Sequence, residues 1–438
     1  MKPLAIVIPL CLSVGIANAD TLQEAVDATV KTNPDVLAAT HERQAVSKEI
    51  DQARAGYYPT LDLAVGTGWE MTDNPSTRAA GKGEVHLNRD EASLNLRQML
   101  FDGMETKNEV LRQEARTNSR SYGVYSSAEN TGLEAVDAYL NVLRRQKLVE
   151  LAQTNLEAHK RTHDQIMLRA ERGVGRAADQ EQSLGRLALA EANLMAEESN
   201  LRDAETAYIR VVGMPPASLS KPDSPISQVP ASLDEAIASA IDNHPTLRLA
   251  NYDVESAQAQ HATAKAPFYP DLHFELGTRA DHDIDGQEGK DKDITAMLRL
   301  RYNLYNGGRD SARREETAFL INQAAEIRNN THRQVEESVR LSWNAWETVK
   351  AQTAAREQHV QSSEKARDAY QQQFSLGQRT LLDLLDSENE VFRARTALTN
   401  TQYDEMYSMY RILNSMGILL QSLNVELPES AATIAANE

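Results

Sequence analysis

Two carboxylates and two histidines are the residues of this sequence whose spacing could do chemistry. Asp383 and Asp386 stand three apart, on one face of a helix. In a single chain such like charges are mildly unfavourable neighbours. Repeated around a symmetry axis they would make an acidic ring that favours cations and narrows an entrance. Thr380-x-x-Asp383 also reads as a capping box after a turn, which explains Asp383 locally and leaves Asp386 unexplained. His159 and His163 are four apart, a spacing that suits two metal ligands. No acid or third histidine is placed to complete such a site, so the pair reads as a solvated patch. There is no His-Glu-x-x-His, no Walker loop and no cysteine nucleophile, and Gly173-Val174-Gly175 follows no strand. The sequence therefore predicts no enzyme, no metal and no cofactor.

Composition bounds the remaining classes. The formal charge of −18 argues against a nucleic-acid partner. Residues 1–19 read as a secretory signal peptide: Lys2, an apolar stretch from Leu4 to Ile16, and Ala17-Asn18-Ala19 as the cleavage site. The only cysteine, Cys11, lies inside it, so no disulfide is expected beyond it. No other segment approaches the ~20 consecutive apolar residues of a membrane helix. A chain of this kind can enter a membrane only as a closed β-barrel.

The chain also repeats. Asn33-Pro34 recurs as His244-Pro245, and Gly56-Tyr57-Tyr58-Pro59 as Pro267-Phe268-Tyr269-Pro270. Further on, Leu100-Phe101-Asp102-Gly103 matches Leu304-Tyr305-Asn306-Gly307, Tyr139 matches Trp343, Gly173 matches Gly377, and Gly213 matches Gly417. Two copies of one unit of roughly 200 residues make up nearly the whole chain. The expected organisation is a first repeat over 20–214, a Pro-rich linker over 215–231, a second repeat over 232–420 and a polar tail over 421–438.

Each repeat contains a proline-free helical tract, about 104–172 and 308–376, roughly 100 Å long if helical. Each tract ends at a glycine turn and is followed by a second helix, about 177–212 and 380–415. Leu187, Leu194, Leu201 and Tyr208 recur every seventh residue, the repeat that makes helices supercoil. Each repeat also contains two stretches that alternate with period two, at about 60–70 and 91–101, then 271–280 and 293–305. Leu61, Leu63, Val65 and Trp69 face away from Asp62, Gly66, Gly68 and Glu70, and Ile294, Leu298 and Leu300 face away from Asp293, Arg299 and Arg301. Stretches of about ten residues match membrane-spanning β-strands. The segments 71–90 and 281–292 read as loops at the strand tips. Tyr57, Tyr58, Phe101, Phe268, Tyr269, Tyr302 and Tyr305 gather at the other end of the strand pairs, where an aromatic girdle belongs at a membrane interface. Four strands are too few to close a barrel, since known barrels begin at about eight, so copies of the chain must share one.

On these features the sequence resembles the TolC family of outer-membrane channels. The most specific match is Leu376-Gly377-Gln378-Arg379-Thr380-Leu381-Leu382-Asp383-Leu384-Leu385-Asp386. The resemblance implies a homotrimer in the Gram-negative outer membrane: a twelve-strand β-barrel, four strands per chain, continued by a long α-helical coiled-coil tunnel in the periplasm. It implies a periplasmic adaptor and an inner-membrane ABC transporter or proton-driven pump as partners. It marks Asp383 and Asp386 as a pore constriction, Asp179 and Arg379 as a latch at the tunnel end, and Gly173, Gly175 and Gly377 as turns facing the adaptor or pump. Phe374 stands where the family pattern can have a tyrosine. The stretches from Asn88-Arg89-Asp90-Glu91 to Gly103 and from Ala170 to Gly175 resemble members serving type I secretion, including export of large adhesins; the alternative is the outlet of a drug efflux pump. A soluble periplasmic coiled-coil adaptor would share the helices but lack the two strand pairs.

Overall fold

The computed structural model describes residues 21–427. The expected signal peptide lies outside the described residues, as does the tail beyond residue 427. The chain begins with α1 (Leu22–Thr32), whose start is closed by reciprocal bonds between Thr21 and Glu24. Asn33 is held extended by the proline that follows it, so the helix stops and α2 (Pro34–Ala55) starts with Pro34 in its first turn. The second repeat uses the same device. Ser232 caps α6 (Leu233–Asn243), His244 is extended, and α7 (Pro245–Thr263) begins at Pro245. The recurring X-Pro pairs are helix breaks.

The strands are β1 (Thr60–Thr72), β2 (Val85–Phe101), β3 (Asp271–Ile284) and β4 (Gln287–Arg301), in one antiparallel sheet of order β1-β2-β3-β4. They are longer than the sequence predicts, and both expected tip loops are largely structured. Segment 71–90 contains the helix α3 (Pro75–Ala79), capped by Asn74, and the first residues of β2. Segment 281–292 is strand on both sides of a two-residue turn. Asp285 and Gly286 take φ of 56° and 76°, which matches the right-handed twist of the strands they join. The Asp-Gly pair was the hairpin signal; the surrounding Lys, Asp and Gly obscured it.

The long helices are α4 (Glu105–Glu171) and α8 (Arg309–Ser375), 67 residues each. They are followed by α5 (Ala177–Val212) and α9 (Leu381–Ser415), and a short α10 (Leu419–Ser422) closes the described chain. Among the described residues no helix is long and apolar enough to cross a membrane.

The chain divides into two compact units, and each takes segments from both repeats. Among the described residues one unit comprises 21–38, 125–244 and 334–427; the other comprises 39–124 and 245–333. The first has an apolar core built from Val26, Val136, Tyr139, Tyr208, Ile412 and Leu413. Of the seven-residue stripe Tyr208 is buried there and Leu187, Leu194 and Leu201 are half-buried, while Ala190, Ala204 and Val211 of the same helix are also buried. The hydroxyl of Tyr139 donates to the Ser220 carbonyl at 2.8 Å and accepts from its N–H at 3.1 Å, pinning the Pro-rich segment. Glu129, also buried, accepts the backbone N–H groups of Leu419 and Leu420 at 3.0 and 3.1 Å. Burial pushes its carboxyl up to about 7, against those two bonds. The second unit contains the sheet. Its helices bury Val46, Ile50, Leu247 and Val254 and are also joined by polar contacts, such as Ser119 to Asp253 at 2.7 Å and His261 to Thr317 at 2.9 Å, and by stacking of Tyr122 on Tyr252.

Candidate functional site

In the sheet, antiparallel pairing puts directly opposed residues on one face. Leu61, Leu96, Leu276 and Ala296 form one row across the four strands, and Leu63, Leu94, Thr278 and Ile294 the next. This face is open: Leu63, Leu298 and Ile294 are 71%, 70% and 78% exposed. So wide an uncovered apolar face marks a lipid or protein contact. The opposite face holds ion pairs. Arg299 donates to Glu275 at 2.8 Å, Arg279 to Asp293 at 2.9 Å, and Arg89 to Glu70 at 2.8 Å and to Glu91. β1 and β4 are the two edges, and among the described residues no further strand lies beside them. The starts of β1 and β3 and the ends of β2 and β4 share one end of the sheet. Tyr57, Tyr58, Phe101, Phe268, Tyr269, Tyr302 and Tyr305 all flank that end, and all but the half-buried Phe101 are exposed. Arg314 lies over the Phe268 ring at 5.3 Å.

In the other unit the two helical hairpins turn alike. Gly173 and Gly377 have φ of 77° and 74°, a state glycine adopts without strain. At each, the glycine N–H returns three residues and the next N–H returns five: Gly173 to Ala170 and Val174 to Arg169, Gly377 to Phe374 and Gln378 to Gln373. Gly175 is required for another reason, because a Cβ there would meet the Ala170 backbone at 2.8 Å. Ile166, Phe374, Leu381, Leu384 and Leu385 form a buried cluster, with Arg169 over the Phe374 ring at 4.8 Å.

Asp383 closes the expected capping box with Thr380. Its carboxylate accepts the Thr380 hydroxyl at 2.9 Å and lies 3.7 Å from Arg379. The Thr380 hydroxyl, then its backbone N–H and the Arg379 charge, hold Asp383 below the ordinary carboxylate range. Asp386, which no local motif explained, accepts from Arg186 at 2.6 Å. Arg379 donates to Gln373 at 2.9 Å and stacks over Tyr370 at 4.2 Å. Asp179 sits in the first turn of α5, and among the described residues no ion pair joins it to Arg379 within the chain. The histidines are no solvated patch. His159 is 2% exposed, and His163 lies 2.9 Å from the Ser183 hydroxyl. Burial, then the Arg186 charge, draws His159 below the ordinary imidazole value. No group of residues fit to hold a metal ion occurs among the described residues.

The outer membrane efflux protein family matches residues 25–214 and 236–417, most of both repeats. The chain belongs to this family. It is 26% identical to the outer membrane efflux protein BepC of Brucella suis over 92% of this chain and 86% of the relative. It is 24% identical to the outer membrane protein TolC of Escherichia coli over 100% and 91%. It is also 24% identical to the proteases secretion protein PrtF of Dickeya chrysanthemi over 95% and 92%. The fold matches the crystal structure of the transmembrane channel CusC with a TM-score of 0.77, 15% identity and 92% coverage of both chains. This efflux protein is thus an outer-membrane channel component. Its strands belong to a β-barrel, and its long helical hairpins extend into the periplasm. Sequence reading missed Arg186, Tyr370 and Gln373. Their partners lie too far along the chain, or too far off any motif, for spacing to reveal them.

Proposed function

We propose that three copies of this chain form one passive channel-tunnel, the outer-membrane exit duct of a tripartite export machine engaged in type I protein secretion. The observation that carries it is the four-stranded sheet, apolar and open on one face, ion-paired on the other, and unpaired at both edges. Such a sheet needs lipid on one side, water on the other and a neighbour at each edge. Three copies supply twelve strands, enough for a wet lumen of about that size class. The aromatic residues at the helical end make the periplasmic membrane belt. A periplasmic adaptor engages the turns at Gly173, Gly175 and Gly377, and an inner-membrane ABC transporter drives the cargo.

Secretion is favoured by the resemblance of the 88–103 and 170–175 stretches to type I members and by the name of the relative PrtF. The second reading, the outlet of a proton-driven drug pump, is favoured by the name of the relative BepC. At the tunnel end, Asp383 and Asp386 of three copies form the cation-favouring constriction, with part of their charge offset by Arg379 and Arg186. Asp179 and Arg379 latch between neighbouring copies, since they do not meet within one. Native mass measurement on detergent-extracted membranes should give a trimer; a soluble monomer would overturn the channel reading. Deletion should abolish secretion of a large protein while leaving drug tolerance intact. The reverse outcome would assign the chain to drug efflux.

A further inference from the structure

The lipid-facing side of β4 changes character along its length. Its positions run Leu300, Leu298, Ala296 and Ile294, then Lys292 and Lys290. The register keeps both lysines on that face. Lys292 is opposite Ala280, which is opposite Ala92, which is opposite Val65; Lys290 lies in the row of His282, Asp90 and Thr67. These residues line one shallow hollow of about 380 Å³. Both lysines are exposed. Three pairs of charges around them are already matched: Lys82 with Glu288 at 3.3 Å, Arg279 with Asp293 at 2.9 Å, and His282 with Asp283 at 3.2 Å. Asp90, two strands away, accepts the Thr67 hydroxyl at 2.7 Å. Lys290 and Lys292 are left without a carboxylate partner among the described residues.

Their height on the sheet is informative. The strand from Tyr302 to Lys292 is about 34 Å long, which at a tilt of about 40° spans about 26 Å of membrane normal. The apolar band of an outer-membrane barrel is about 25 Å tall. The aromatic belt stands at one rim, so the lysines stand at the other, where headgroups begin. Trp69, exposed on the same face of β1 and stacked on His86, suits that depth.

We propose that Lys290 and Lys292 bind the phosphate of an outer-leaflet lipid, the phosphorylated headgroup of lipid A, while its acyl chains lie over Ile294, Leu298 and Val65. Two ammonium groups supply point charges for a phosphate, and the apolar strip directly below selects a lipid over a free anion. The proposal rests on the barrel reading, and its test separates the two. Purified protein is mixed with bisphosphorylated lipid A in mild detergent and examined by native mass spectrometry, beside Lys290→Ala/Lys292→Ala and Lys290→Arg/Lys292→Arg. The wild type and the arginine variant should retain the lipid, and the alanine variant should bind it on the order of thirtyfold more weakly. Dephosphorylated lipid A should bind as weakly as the alanine variant does, and inorganic phosphate should not displace the intact lipid. Equal binding by the alanine variant, equal binding of dephosphorylated lipid, or displacement by inorganic phosphate overturns the proposal while the trimer stands. Absence of the trimer removes the barrel and the lipid site together.

Discussion

The sheet and the hairpin turns meet water by opposite rules. On the sheet, apolar side chains stand in the open and ion pairs fill the other face. At the turns, Phe374, Leu384 and Leu385 are buried while Asp383, Asp386, Arg186 and Arg379 remain at the surface, paired. The turn region obeys the ordinary rule of a soluble fold; the sheet reverses it. Each region therefore shows the solvent it was built for.

The sharpest way to break this contrast is to place a charge on the lipid face. Leu63→Arg or Leu298→Arg should destabilise the barrel by about 2–4 kcal/mol per site near the midplane and sharply lower the yield of folded trimer from membranes. Asn95→Arg, on the lumen face, should leave that yield unchanged. Equal loss in both would mean that the exposed face does not meet lipid.

The next largest effect is expected at the turns. Gly173→Val with Gly377→Val forces a β-branched residue into a positive φ at both hairpins. Export should fall severalfold with the trimer still assembled. Unchanged export would argue against docking there.

Buried titratable groups sharpen the comparison further, because the turn-bearing unit hides Glu129 and His159 in a soluble-type core. The folded-state pKa of Glu129 is raised to about 7, so the fold binds a proton that the unfolded chain releases near 4.5. Stability from this group is full below about 4.5 and declines as pH rises to about 7, by about 3 kcal/mol. His159 acts in the opposite sense. Its pKa is lowered, so its contribution is present above about 6.5 and is lost as pH falls. Thermal melts of Glu129→Gln and wild type should therefore differ by an amount that changes between pH 4.5 and 7.5. A constant difference would show that Glu129 does not titrate in that window.

The smallest effect concerns the constriction. Asp386→Ala should lower cation preference and weaken block by trivalent cations in planar bilayers, and the double variant with Asp383→Ala should do so more. Asp383 contributes stability above about 3.9, lost as pH falls, because its folded pKa is depressed. Asp383→Ala should thus also lower the melting temperature at neutral pH, whereas Asp386→Ala should free Arg186. Unaltered conductance in the double variant would place the constriction elsewhere.

Local chemistry was legible in the sequence. Proline fixes its neighbour's backbone, so Asn33-Pro34 and His244-Pro245 read directly as breaks. Period-two alternation gave the membrane faces of Leu61–Val65 and Ile294–Leu300, and Thr380-x-x-Asp383 gave a helix cap. The same locality misled at 71–90 and 281–292, where polar composition concealed strand residues that pair only with distant partners. It misled also at His159, which a helix turn alone cannot distinguish from its exposed neighbours.

Sequence by itself determined the long helices, the middle of each strand and which strand face is apolar, because each depends on residues a few positions apart, and it showed the duplication by direct comparison of its two halves. Tertiary structure alone decided that Asp386 meets Arg186, that Glu129 and His159 are buried, and that Lys290 and Lys292 share a face with Val65. Those facts depend on which surfaces folding brings together, and a linear pattern does not encode the distance between two helices or the register of four strands.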